Sequence, residues 1–216
     1  MQVNERSLLE VYMKDTKENI LLAALELFST NGYEATSVSD IASKLGITKG
    51  ALYKHYKSKR DIFDSILERM EQYDAEGAKD FDLPEDVLAE AEEKYRSAKT
   101  EDVIGFALDR FRYWTQEEFP CMFRKMLTLE QYRSEEMSRL YNQYLVSGPL
   151  GYTVDLFVSN GTESPVKKAT ELYSAMFLYY GIYDGTKDKS KAISAFEEHI
   201  DSLAESWGVP KKETRE

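Results

Sequence analysis

The chain has 216 residues, 42 % hydrophobic and 31 % charged, with a net charge of −11, the make-up of a soluble globular protein of one or two domains. Its first residues, MQVNERSLLEVYMKD, are charged throughout and lack the apolar stretch of a signal peptide, while the most apolar run, residues 20–28, is broken by Glu26 and too short to span a bilayer. A single cysteine, Cys121, excludes an intramolecular disulfide framework and a cysteine-only metal site, so a cytoplasmic protein without a membrane partner is expected.

Charge is spread unevenly. Residues 1–60 hold nine Lys/Arg against seven Asp/Glu; of the 28 and 39 in the whole chain, this leaves 19 basic and 32 acidic residues beyond position 60. Five of the basic residues, Lys49, Lys54, Lys57, Lys59 and Arg60, fall in a stretch that contains no acid. A small module facing a polyanion, attached to an acidic body that avoids it, fits this asymmetry.

Residues 1–14 extend the first helix, form a loose terminus or, through Arg6 and Lys14, make a basic arm. That first helix is predicted over Thr16 to Thr30, with Ile20, Ala24, Leu27 and Phe28 on one face, and Asn31-Gly32 ends it. Tyr33 reads as a core ring. Ser37 and Asp40 have capping-box spacing and open a second helix with Val38, Ile41, Ala42 and Leu45 apolar. Gly46 stops it. Thr48 caps the next helix, whose inward side is Ile47, Ala51, Leu52 and Tyr56, and Ser58 with Asp61 caps another from Lys59 through Ile62, Phe63, Ile66, Leu67 and Met70. Ala42, four residues before Gly46, suits the close crossing of a helix-turn-helix. Thr48, Lys49, Gly50, Tyr53, Lys54 and His55 are left over after packing. A helix start bearing Lys, Thr and Gly suits a DNA major groove, offering donors and close backbone approach.

Beyond Met70, residues 74–84 read as a connector and 85–98 as a highly charged surface helix. A strong helix at 101–119 carries Phe106, Leu108, Phe111, Tyr113 and Trp114 and is punctuated by Pro120. Helical pieces over 121–160 are broken at Gly148-Pro149 and end at Asn160-Gly161. Two long patterns follow, 165–184 with Ala169, Tyr173, Met176, Phe177 and Tyr180, and 190–207 with Ile193, Phe196, Ile200, Leu203 and Trp207. The tail KKETRE frays. No segment has strand period, so the chain is predicted to be all-α.

The run Gly32-Tyr33, Thr36-Ser37, Asp40-Ile41-Ala42, Leu45-Gly46-Ile47, Lys49-Gly50-Ala51-Leu52-Tyr53, His55-Tyr56-Lys57-Ser58-Lys59 resembles the TetR/AcrR family of bacterial repressors, over about residues 16–66. The resemblance implies an N-terminal three-helix DNA-binding domain over 1–60, including the extension 1–14, and a helical effector-binding and dimerisation domain over 61–216. It implies a homodimer on double-stranded operator DNA, released by a small lipophilic or aromatic effector. Thr48, Lys49, Gly50 and Tyr53 are expected to face the groove, and Ser37, Lys54, His55 and Lys59 the phosphates.

Fifteen tyrosines and ten phenylalanines supply rings for both core and pocket. The implied effector pocket draws on Tyr113, Trp114, Phe119, Phe123, Tyr132, Tyr144, Tyr152 and Phe177. Glu117, Glu118 and Asp155 either favour a cationic ligand or form a solvated face. The dimer interface is expected at Tyr173, Phe177, Tyr180, Phe196, Ile200 and Leu203, although the same stripes would also close a monomer core. A second reading, a DNA-binding accessory protein whose body takes a protein partner, stays open.

Enzymatic readings have little to stand on. The two histidines, His55 and His199, lack metal-ligand spacing, Cys121 has no histidine near it in sequence, and Gly148-Pro149-Leu150-Gly151 has neither a preceding strand nor a lysine. Nothing in the sequence calls for a cofactor or a metal.

Overall fold

Local capping chemistry fixes the first helices. A computed structural model describes the backbone over residues 5–80 and 99–209 and the side chains over 16–74 and 99–209. Among the described residues ten helices and no strands occur: α1 Glu5–Asn31, α2 Val38–Lys44, α3 Lys49–Leu52, α4 Lys59–Asp80, α5 Thr100–Gln116, α6 Glu118–Glu130, α7 Glu135–Leu145, α8 Ser147–Ser159, α9 Pro165–Gly185 and α10 Lys189–Ser206. The all-α expectation holds. None of these helices is long and apolar enough to cross a membrane.

The first helix begins at Glu5, in line with the reading that residues 1–14 extend it. Other boundaries differ from the sequence reading. The connector expected from residue 74 is helical as far as Asp80; Ala75, Glu76, Ala78 and Lys79 are strong helix formers and outweigh Gly77, which costs about 1 kcal/mol. Both prolines taken as breaks sit inside first turns. Pro120 is the third residue of α6 and Pro149 the third of α8, where the missing N–H has no helical acceptor to satisfy. The actual breaks fall at Glu117, in an extended conformation, and at Val146. The helix expected at 85–98 and the tail at 211–216 lie outside the described residues.

Packing divides the described chain into two compact units. One holds the residues up to Asp74 together with Phe119–Leu140; the other draws on Ala75–Glu118 and Tyr141–Glu216. In the first, α1 packs on α2 and α2 on α3, around Ile20, Leu25, Phe28, Ile41, Leu52, Ile62 and Phe63, each fully buried. Phe119 stacks on Tyr73 with ring centroids 5.1 Å apart. In the second, α9 packs against α8, α10 and α5, and α5 also meets α8 and α10. Its centre is aromatic, with Phe111 3.9 Å from Phe196 and 5.5 Å from Tyr180 by ring centroid.

Both tryptophans belong to the second unit. Trp114 is 4 % exposed, and Trp207 donates its Nε1–H to Glu171 Oε2 at 3.1 Å and meets Phe157 edge-on at 5.9 Å.

Candidate nucleic-acid interface

The α2–α3 pair is built from caps and one glycine. Ser37 is the N-cap of α2: its hydroxyl accepts the Asp40 amide at 3.2 Å, and Asp40 Oδ2 accepts the Ser37 amide at 2.7 Å. Hydrogen bonds from the Ser37 hydroxyl and amide hold the Asp40 carboxyl below its ordinary range. Ile41 and Ala42 turn inward, and Gly46, at φ +65, lets the chain reverse so that the Ile47 amide reaches the Ala42 carbonyl at 3.0 Å. Thr48 then caps α3, its Oγ1 accepting the Ala51 amide at 3.1 Å.

This geometry points the rest of α3 outward. Leu52 is fully buried and Tyr56 is 2 % exposed, its hydroxyl donating to the Lys17 carbonyl at 3.2 Å, so the exit of α3 is pinned to α1. Burial pushes the Tyr56 phenol well above its usual range. Thr48, Lys49, Gly50, Tyr53 and Lys54 are exposed, as is Ser37, and His55 is half-buried. Gly50 has no demand from the fold: its φ is not positive, and a Cβ there would meet only Thr48 Oγ1, at 3.8 Å. A residue that weakens a helix without easing the chain's own packing suits the approach of another surface.

Of the five cations between 49 and 60, two are spent internally. Lys59 Nζ donates to the Tyr33 carbonyl at 2.7 Å and lies 4.1 Å from the centroid of that ring. Arg60 pairs with Asp64 at 2.7 Å and with both carboxylate oxygens of Glu136, at 2.7 and 2.8 Å. Lys59 therefore departs from the expectation of a free phosphate contact. Lys49, Lys54 and Lys57 remain exposed. Sequence reasoning missed Glu130, whose Oε1 accepts the Tyr33 amide at 3.0 Å, and Glu136. Neither has a local signature, since their partners lie 97 and 76 residues away.

The expected pocket residues divide between the units. Phe119 and Phe123 are core of the first unit, and Tyr132 stands 90 % exposed in the turn after α6. Tyr132 thus stands apart from the buried rings, a correction that follows from the turn at 131–134 carrying its side chain outward. In the second unit Trp114 is buried and Tyr113, Tyr144 and Tyr152 are half-buried. The Arg110 guanidinium lies 4.0 Å from the Tyr113 ring centroid, 5.6 Å from Trp114 and 6.0 Å from Phe106, and Tyr152 packs on Phe106 at 5.7 Å. Arg110 thus sets a guanidinium among these rings. Glu117, Glu118 and Asp155 are exposed, which favours the solvated-face alternative.

Of the two readings of the dimer stripe, burial within the single chain favours the monomer core for most of its residues. Tyr173, Tyr180, Phe196 and Ile200 are buried within their own unit, and the Tyr173 hydroxyl donates to the Leu145 carbonyl. Leu203 is half-buried and Phe177 is exposed. Helix α9 is apolar on two faces, and of the expected stripe on it Tyr173 and Tyr180 belong to the inward one. The outward face carries Val166, Phe177, Leu178 and Ile182, 42–61 % exposed, around Ser174, Gly181 and Gly185.

Residues 20–66 match the family model described as bacterial regulatory proteins, tetR family. The chain is similar to the HTH-type transcriptional regulator AcrR of Shigella flexneri, 45 % identical over 58 residues, which are 27 % of each chain. It is also similar to the HTH-type transcriptional repressor BepR of Brucella suis, 44 % identical over 55 residues, 26 % of each chain. These matches span about a quarter of the relatives' length. The fold extends further. The crystal structure of the regulator FadR from Bacillus subtilis in complex with stearoyl-CoA superposes with a TM-score of 0.58 at 19 % identity, over 86 % of this chain and 96 % of that one.

Proposed function

We propose that this chain, whose residues 20–66 match the family model of tetR bacterial regulatory proteins, is a member of that family and a sequence-specific transcriptional regulator acting on operator DNA. The observation that carries the reading is the exposed side of α3, where its N-cap Thr48, its first residues Lys49 and Gly50 and its C-cap Tyr53 all reach solvent on a helix anchored from behind. These four meet base edges in the major groove. Ser37, Lys54 and Lys57 meet phosphates, with His55 beside them. Such a protein works in the cytoplasm, where the chromosome is.

Two heads are needed for a near-palindromic site, and the outward apolar face of α9 is the surface that would pair two copies across a two-fold axis. The domain boundary we use, 1–60 for reading DNA and 61–216 for assembly and effector binding, is functional and differs from the packing units. The half-buried rings around Arg110 are the candidate seat of a small lipophilic effector that releases the operator. The FadR structure holds stearoyl-CoA, so a long acyl chain is a sensible first probe.

The test is a gel-shift titration against the palindrome nearest the protein's own gene, with light scattering in parallel. Specific binding by a dimer supports the reading. A monomer without preference for that DNA would overturn it, and a protein partner captured at the α9 face instead would support an accessory role.

A further inference from the structure

The turn between α1 and α2 is held by a residue from far along the chain. Glu130, the last residue of α6, is 2 % exposed, and its Oε1 accepts the Tyr33 amide. The carbonyl of the same Tyr33 accepts Lys59 Nζ, the first residue of α4. Tyr33 is thus gripped at both ends of its backbone, while its ring packs between Phe28 at 5.1 Å and Phe63 at 5.0 Å. The neighbouring Gly32 makes room for the carboxylate. Its φ is +90, and a Cβ there would come within 2.5 Å of Glu130 Oε1. The glycine serves the turn and the contact at once.

On the other side of the same corner, Glu136 in the first turn of α7 takes Arg60 in the first turn of α4 through two parallel hydrogen bonds. Residues 130 and 136 therefore touch the head at two places that frame α3. One is the turn leading into α2, where the buried Thr36 hydroxyl bonds the Gly32 carbonyl at 2.9 Å just before the Ser37 cap. The other is the start of the helix that leaves α3. A buried carboxylate is a poor choice for filling space, because its desolvation is costly, and here Oε2 has no hydrogen-bond partner. What it supplies is direction: one acceptor aimed at one amide.

We propose that Glu130 and Glu136 are positioning residues for DNA recognition, setting the α2–α3 pair through Tyr33 and Arg60. The α6–α7 corner is then part of the reading head, and whatever displaces that corner turns α2 and the start of α4 together. This rests on α3 being the DNA-reading helix.

The test uses the full chain and five variants: Glu130→Ala, Glu130→Gln, Glu136→Gln, Gly32→Ala and the double variant of Gly32→Ala with Glu130→Ala. Glu130→Gln keeps an acceptor at Oε1, so its operator affinity should stay within about twofold of wild type. Glu130→Ala should weaken operator binding about tenfold, with affinity for random DNA unchanged because Lys49, Lys54 and Lys57 remain. Tyr33 amide exchange, followed by NMR, should quicken in Glu130→Ala and not in Glu130→Gln, a readout independent of DNA. Gly32→Ala should weaken operator binding, and by less in the Glu130→Ala background, where the collision is gone. Glu136→Gln, at the surface, should fold normally and bind the operator several-fold more weakly. If wild type binds its palindrome and Glu130→Ala and Glu136→Gln bind as well, the proposal fails alone. Equal losses in Glu130→Gln and Glu130→Ala would also overturn it. Should Glu130→Ala not fold, Glu136→Gln and the exchange rate in Glu130→Gln decide. Wild type that binds no palindrome sinks the DNA reading itself.

Discussion

Lys59 closes the α1–α2 turn from the α4 side, its ammonium bonded to the Tyr33 carbonyl at 2.7 Å and lying over the Tyr33 ring. Position alone would make it a phosphate contact, since it begins the helix after the reading pair. Its hydrogen bond makes it a strut. Lys59→Ala should therefore destabilise the fold by about 1–2 kcal/mol and leave the salt dependence of operator binding nearly unchanged. Lys54→Ala should do the reverse, lowering the log–log salt slope by about one with little effect on stability. Affinity measured across a salt series, beside denaturant unfolding, separates the two.

Base reading has a different signature. Lys49→Ala and Tyr53→Ala should each cost roughly 1–3 kcal/mol against the operator and relax sequence preference, while binding to random DNA changes less. Competition gel shifts with point-substituted operators would reveal which base pair each side chain reads. Unaltered operator affinity in both variants would mean that α3 is not the reading helix.

Assembly should respond to the outward face of α9 and not to the inward one. Leu178→Glu, on a side chain 60 % exposed, is expected to leave a folded monomer by light scattering that binds half-sites only. Phe196→Ala, at a fully buried ring 3.9 Å from Phe111, should instead lower stability by about 3–5 kcal/mol. A dimer unaffected by Leu178→Glu would move the interface elsewhere.

Acid should loosen the corner. Arg60 holds the Glu136 carboxyl below its ordinary value of 4.5, so the unfolded chain takes up that proton at a higher pH than the folded chain. The pair's contribution is complete above pH 4.5 and is lost as pH falls through the lowered value. Both side chains are about half exposed, at 50 % and 40 %, which limits the effect to at most about 1 kcal/mol. Unfolding curves for wild type and Glu136→Gln should converge below that pH and part above it.

What the sequence made legible was local. Ser37 with Asp40, Thr48 with Ala51 and Ser58 with Asp61 each close within three residues, and their geometry follows from residue type. Gly46 is equally plain, as the stop that turns α2 into α3. The two acids that hold the head were hidden because their partners are distant in the chain and nothing near Glu130 or Glu136 hints at Tyr33 or Arg60. Periodicity left the interface open for another reason. A 3-and-4 spacing marks a face as apolar but does not say whether the chain itself or a second copy covers it, and α9 has two such faces.

The placement of both tryptophans in the second unit makes their emission a one-sided witness. Trp114 and Trp207 would report melting around α5, α9 and α10, and the unit that carries α2 and α3 would be silent. Far-ultraviolet dichroism, by contrast, sees the helices of both. If the two units part company on heating, the dichroism curve should fall before the fluorescence curve moves, or after it. Coincident curves would mean that they melt as one cooperative body.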